Sequence, residues 1–204
     1  MLEASHLSCI KKDRILFDGL SLQLREGELM YLRGPNGAGK TSLLRILSGL
    51  SQPSHGCVNW RGKPLDLQWY REMVYVGHKP GMSDTLTAIE NLRFWCCQHA
   101  VAVRDAHILD VLSVLGLVGV EDIPCRLLSA GQQRRVALAK LWLKPATVWL
   151  LDEPFTALDV DGVSQLEAVM CQHVKAGGAI LTTSHQPLST SAGPLTFFDL
   201  EYRI

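Results

Sequence analysis

The chain has 204 residues, a length that suits one well-packed domain burying roughly 70% of the surface its extended form exposes. Hydrophobic residues make up 47% and charged residues 20%, which excludes an intrinsically disordered chain. Twenty Lys and Arg balance twenty Asp and Glu. A broad basic face for nucleic acid is therefore not expected, and zero net charge predicts poor solubility alone, as suits a subunit with a partner.

In chain order, Ser5–Ile10 and Ile15–Leu24 read as short strands joined by the polar turn KKDR. Glu28–Gly34 (ELMYLRG) is a strand running into a glycine-rich loop, and Ser42–Leu50 carries apolar residues at helical spacing. A turn follows over Ser51–Gly56, then short strands at Cys57–Trp60 and Met73–Val76. Thr85–Leu128 is mostly helical in pattern, broken at Gly116, Gly119 and Pro124, and Ser129–Leu143 is a further helix. Thr147–Leu151 and Ala179–Thr183 are continuous apolar runs of the kind that form parallel strands covered on both faces, with the helix Val163–Lys175 between them. This order predicts an α/β fold with a mostly parallel core sheet, N-terminal antiparallel strands and a helix-rich insert over about 85–143.

The longest apolar run, Val111–Val120, is too short to span a membrane, and MLEASHLSC has no basic start followed by an apolar core. The six cysteines contain no C-x-x-C pair and match no zinc spacing; adjacent Cys96 and Cys97 read as reduced helix residues. His99 and His107 read as solvated rather than metal- or haem-binding.

The strongest local signal is GPNGAGKT, Gly34 to Thr41, which fits G-x-x-x-x-G-K-[ST] between a strand and a helix. Gly34, Gly37 and Gly39 let the backbone curl so that its N–H groups face an anion, and the helix N-terminus adds partial positive charge. Gly34, Pro35, Asn36, Gly37, Ala38, Gly39, Lys40, Thr41 and Ser42 are the candidate nucleotide-binding residues. Lys40 reaches the β- and γ-phosphates, and the Thr41 hydroxyl suits Mg²⁺.

Asp152 and Glu153 follow the apolar run VWLL, at the strand end where open α/β sheets place a ligand crevice. Asp152 is a hard oxygen donor for Mg²⁺, and Glu153 can orient a water against the γ-phosphate. His185 follows the next strand. It is either a donor to a transferring phosphoryl oxygen or an ordinary loop histidine. Ser129 and Gln132 have the spacing of a capping box, with Gly131 between them. That helix start is either a well-capped terminus or a second phosphate-binding one.

Taken together, GPNGAGKT, LSAGQ, VWLLDEP, the following TALD and His185 resemble the ATPase subunits of ABC transporters, over about Leu2 to Phe198. The resemblance implies a P-loop NTPase of ABC type forming one domain over 1–204, and a head-to-tail homodimer with two ATP molecules between its subunits. Lys40, Glu153 and His185 would then be catalytic, Ser129, Gly131 and Gln132 would meet the nucleotide held by the opposite subunit, and Ala157–Asp159 would cross the dimer interface. The helix-rich segment would face integral membrane permease subunits. Within that family LFDGLSLQL, KTSLLRILSGL, YVGHKPG and LTAIENLRF are similar to the ATPase subunits of bacterial haem exporters of cytochrome c biogenesis. That branch implies a peripheral location on the cytoplasmic face of the inner membrane and a haem chaperone complex as a further partner. The same catalytic residues would equally serve an exporter of lipid, peptide or drug, or a soluble nucleotide-dependent switch.

Three positions depart from the wider family. Ala130 stands where glycine is usual. His78 takes the place of the glutamine that senses Mg²⁺, and so joins Thr41 and Asp152 as a candidate metal residue. No aromatic residue falls near Lys11 or Lys12 to stack on adenine, since Phe17 and Tyr31 both read as core.

Overall fold

In a computed structural model, residues 1–11, 14–184 and 195–201 are described. The N-terminal hairpin pairs β1 (Leu2–Lys11) with β2 (Arg14–Leu24), and β3 (Leu29–Arg33) leads into helix α1 (Lys40–Leu47). Next come β4 (His55–Trp60), the short β5 (Lys63–Pro64), α2 (Leu67–Glu72) and β6 (Met73–Val76). Helices α3 (Ala88–Gln98) and α4 (Asp105–Val114) and a 3-10 turn at Cys125–Leu127 precede α5 (Ala130–Leu138) and α6 (Lys140–Leu143). β7 (Val148–Leu151), α7 (Val160–Lys175), β8 (Ala179–Thr182) and β9 (Leu195–Asp199) complete the described elements.

The strands form two sheets. One is antiparallel in the order β2-β1-β4-β5; the other is parallel throughout, in the order β6-β7-β8-β3-β9. The central strands β7 and β8 are buried at every position, and their side chains divide by period two. Val148, Leu150, Ala179 and Leu181 enter the core shared with α1 and the antiparallel sheet. Trp149, Leu151 and Ile180 enter the core beneath α5, α6 and α7. Burial on both faces is why these strands read as unbroken apolar runs. A third apolar cluster lies within the helical segment, where Leu92, Ile108, Leu112 and Leu117 meet Val136 and Leu143.

The expected helix over Ser129–Leu143 is divided at Ala139, which caps α5 and opens α6. Thr85–Leu128 contains two helices and a 3-10 turn joined by irregular chain, and α2, β5 and β9 were not anticipated. His99 is half-buried rather than solvated. Its ring stacks on Trp95 at 4.1 Å and its Nδ1 lies 2.8 Å from the Trp95 carbonyl. Burial lowers its pKa from the ordinary histidine value. Among the described residues no helix is long and apolar enough to cross a membrane.

Candidate functional site

Between β3 and α1 the chain turns through Gly34, Gly37 and Gly39 at φ of 151°, 84° and 103°. These are values that side chains avoid. A Cβ at Gly34 would stand 2.5 Å from the Leu200 carbonyl oxygen, so the loop is seated against the chain following β9. Ala38 is fully buried, whereas Pro35, Asn36 and Gly37 face solvent. The loop closes with Ala38 N–H donating to Pro35 O at 3.2 Å. Gly39 caps α1 in a left-handed conformation, and no acidic side chain occupies the first turn. Lys40 Nζ bends back over the loop and donates to Gly34 O at 2.5 Å and Pro35 O at 3.1 Å. A helix start, whose first N–H groups have no partner within the helix, and an ammonium thus share one loop, the combination that receives a phosphate.

The second half of the site is at the end of β7. Asp152 is 1% exposed. Its Oδ2 accepts from Thr41 Oγ1 at 2.8 Å and its Oδ1 from Thr183 Oγ1 at 2.8 Å. The structure thus joins the two sequence motifs across 111 positions. Among the described residues no cation lies within ion-pairing distance of this buried carboxylate. A hydroxyl and a carboxylate, both hard oxygen donors, fit Mg²⁺, which takes one or two protein oxygens and completes its shell with phosphate and water.

Glu153 is held at φ 51°, an uncommon conformation for a side chain of its kind. Its N–H donates to Thr183 Oγ1 at 2.8 Å. Its Oε2 lies 3.5 Å from His78 Nδ1 and accepts from Thr156 Oγ1 at 3.5 Å. His78 therefore stands beside the carboxylate expected to orient water. A cleft of about 820 Å³ runs from Thr41, Glu153 and His78 past Tyr75 and Lys140 to Trp95 and His99.

Arg134 of α5 underlies this whole corner. It is 4% exposed. It donates to the carbonyl oxygens of Gly77 at 2.7 Å, Asp152 at 2.8 Å, Glu153 at 2.7 Å and Pro154 at 3.2 Å. Burial lowers its pKa, opposed by the nearby Asp152 and Glu153 charges. One guanidinium thus ties the LSAGQ helix to the residues that follow β6 and β7.

At the start of α5 both halves of the capping box are present. Ser129 Oγ accepts from Gln132 N–H at 3.2 Å, and Gln132 Oε1 accepts from Ser129 N–H at 2.8 Å. Gly131 has a second reason to be glycine, because a Cβ there would meet the Ala157 carbonyl oxygen at 2.7 Å. Ala157 itself sits at φ 63°. Asp159 caps α7 and accepts from Arg135 Nη2 at 2.5 Å. The Gly162 N–H, followed by the Arg135 charge, holds the Asp159 carboxyl below its usual range. His185 lies outside the described residues.

The ABC transporter family model matches residues 17–156. The chain belongs to the ABC transporter family. It is 51% identical over 197 residues to the cytochrome c biogenesis ATP-binding export protein CcmA of Escherichia coli K12, covering 94% of this chain and 92% of that protein. The Shigella flexneri protein of the same name is equally similar. Among solved structures, a dimeric ATP-binding cassette bound to ADP and Pi superposes with a TM-score of 0.87 at 20% identity, covering 100% of this chain and 97% of that one. An ATP-binding protein from Pyrococcus furiosus, a putative ABC transporter by its description, superposes at 0.80 with 24% identity, covering 98% and 96%. At these identities both structures show a shared fold.

Within this family framework, the structure brings Thr41, Glu153 and His78 to one cleft, with Asp152 buried behind Thr41 and bonded to it, whereas Ser42 turns to Lys11. Ser129, Gly131 and Gln132 form a separate helix start beside the Ala157 loop. Sequence reasoning missed Arg134 and Thr183. The signal for Thr183 was a pair of threonines closing an otherwise apolar strand. Arg134 had none, since an arginine in a polar stretch such as GQQRR reads as solvated.

Proposed function

We propose that this protein is the ATP-hydrolysing subunit of a membrane export complex serving cytochrome c biogenesis, with haem as cargo or as the ligand of a carrier that ATP releases. The observation that carries the reading is the Thr41–Asp152 hydrogen bond at 2.8 Å, which unites a phosphate loop with a carboxylate only 1% exposed. Half-identity to CcmA over nearly the whole chain supports the assignment to that export system.

In this reading residues 1–204 are one ABC ATPase domain whose segment 85–143 is a helical subdomain. The amides from Gly34 to Ser42 cradle the phosphates, and the Lys40 ammonium leaves the Gly34 and Pro35 carbonyls for the β- and γ-phosphates. Mg²⁺ would be held by Thr41 and Asp152, with His78 as a further candidate, and would supply neutralisation of charge on those phosphates. Glu153, fixed by Thr183 and Arg134 through its backbone, accepts a hydrogen bond from water and aims it in line with the γ-phosphate. His185 donates to the phosphoryl oxygens as their charge grows.

Ser129, Gly131 and Gln132 of one subunit close over the nucleotide of the other, excluding bulk water and strengthening each electrostatic contact. The dimeric, ADP- and Pi-bound structural relative supports this homodimer. The helix-rich segment would face integral membrane permease subunits, on the cytoplasmic face of the inner membrane, with a haem chaperone complex as a further partner. Nucleic acid has no part in this function.

The test is mild-detergent purification from the native membrane, with each co-purifying chain identified by mass. Two polytopic partners and a haem-carrying protein are expected. A permease of another kind would remove the haem assignment, and recovery of the chain alone from the soluble fraction would remove the transport assignment.

A further inference from the structure

We infer that Lys11 is a nucleotide-binding residue of this site, its ammonium meeting the phosphate nearest the ribose on the side of the loop where the base enters. The inference rests on the ATP-binding reading above and adds to it a residue that the loop motif does not contain.

Lys11 ends β1, opposite Arg14 of β2, and its Nζ donates to Ser42 Oγ at 3.1 Å. Ser42 is the third residue of α1 and only 8% exposed. Successive residues of an α-helix point about 100° apart. Thr41 accordingly turns toward Asp152 while Ser42 turns toward the β1–β2 hairpin. The reacting end of a nucleotide belongs with Asp152 and Glu153, so its sugar and base extend toward the hairpin and past Lys11.

Electrostatics supports the same placement. Lys11 is held against the first turn of a helix with no acidic side chain, where a cation is disfavoured by the helix dipole. Among the described residues it has no carboxylate within ion-pairing distance. Lys40 adds a second ammonium at the same helix start. An anion bound at this helix start answers all three positive features at once. Among the described residues the neighbouring surface offers no stacking aromatic in compensation. Phe17 is 3% and Tyr31 9% exposed, and Leu16 stands over Gly39 of the loop. Affinity that would otherwise come from base stacking comes here from charge.

The experiment is equilibrium binding of ADP, ATP and GDP to the full chain, comparing the native protein with Lys11→Met and Lys11→Arg. Lys11→Met is expected to weaken all three by a similar factor of about tenfold, the loss of one charged hydrogen bond. The factor is shared because the contact is to a phosphate that all three carry. Lys11→Arg should stay within about twofold of native. Lys11→Met binding ADP as tightly as the native chain, or a loss confined to ATP, would overturn the inference while leaving the site intact. A native chain that binds none of the three would overturn the ATP-binding reading itself, and Lys11 with it.

Discussion

Replacing Arg134 with methionine should both destabilise the fold and slow the reaction. The guanidinium makes four hydrogen bonds to carbonyl oxygens, of 2.7 to 3.2 Å, from a side chain 4% exposed. Each buried carbonyl left without a donor costs about 1–3 kcal/mol. Against this, methionine removes a buried charge whose desolvation costs several kcal/mol, and water entering from the cleft satisfies some of the oxygens. The net destabilisation expected is about 3 kcal/mol, which lowers the urea midpoint by about 1–2 M. A second readout separates this from plain loss of packing. Arg134 fixes the carbonyl of Glu153, a residue already held at φ 51°. Release of that carbonyl should lower ATP turnover per folded molecule by about tenfold or more while ATP binding falls much less. Urea unfolding and steady-state hydrolysis on the same preparation test both. A destabilisation below about 0.5 kcal/mol, or full turnover by the folded fraction, would refute the role given to this side chain.

Two further perturbations follow from the same geometry. Gly131→Ala places a methyl group 2.7 Å from the Ala157 carbonyl oxygen, and forcing the α5 start away from that loop should cost about 1–2 kcal/mol after the gain in helix propensity, read as a fall in Tm. The pH dependence of stability should rise on the alkaline side. Lys140 and Lys144 are 6% and 3% exposed, and burial holds both well below the ordinary value of 10.5, at about 8, with the Arg134 charge adding to the effect on Lys140. Between about pH 8 and 10.5 the unfolded chain therefore holds more protons than the folded one, and stability increases with pH. Lys140→Met should flatten part of that rise in urea titrations; an unchanged slope would show that Lys140 keeps its ordinary pKa.

The elements legible in the sequence were those whose signal is local. VWLL and AILT are buried on both faces and so are apolar without interruption, and the phosphate loop and the Ser129–Gln132 capping box are set by neighbouring residues. What escaped depends on distant contacts. α2 is six residues long with only Trp69 buried, too short to display a period, although Asp66 caps it. β9 is largely exposed and is defined by pairing with β3 from the far end of the chain. The division at Ala139 leaves no breaker residue in the sequence. Within the site, residue types and spacing marked out Lys40, Thr41, Asp152 and Glu153. Arg134 and Thr183 act through backbone carbonyls and a shared hydroxyl, contacts that exist only once β7, β8 and α5 are packed together.

The most direct test of ATP hydrolysis at this site is Glu153→Gln, measured for nucleotide binding and for single-turnover hydrolysis in the same preparation. The substitution keeps size and removes the carboxylate that orients water, so ATP affinity should stay within about twofold of native while hydrolysis falls by about a hundredfold or more. Undiminished hydrolysis by the variant would contradict the assignment of Glu153.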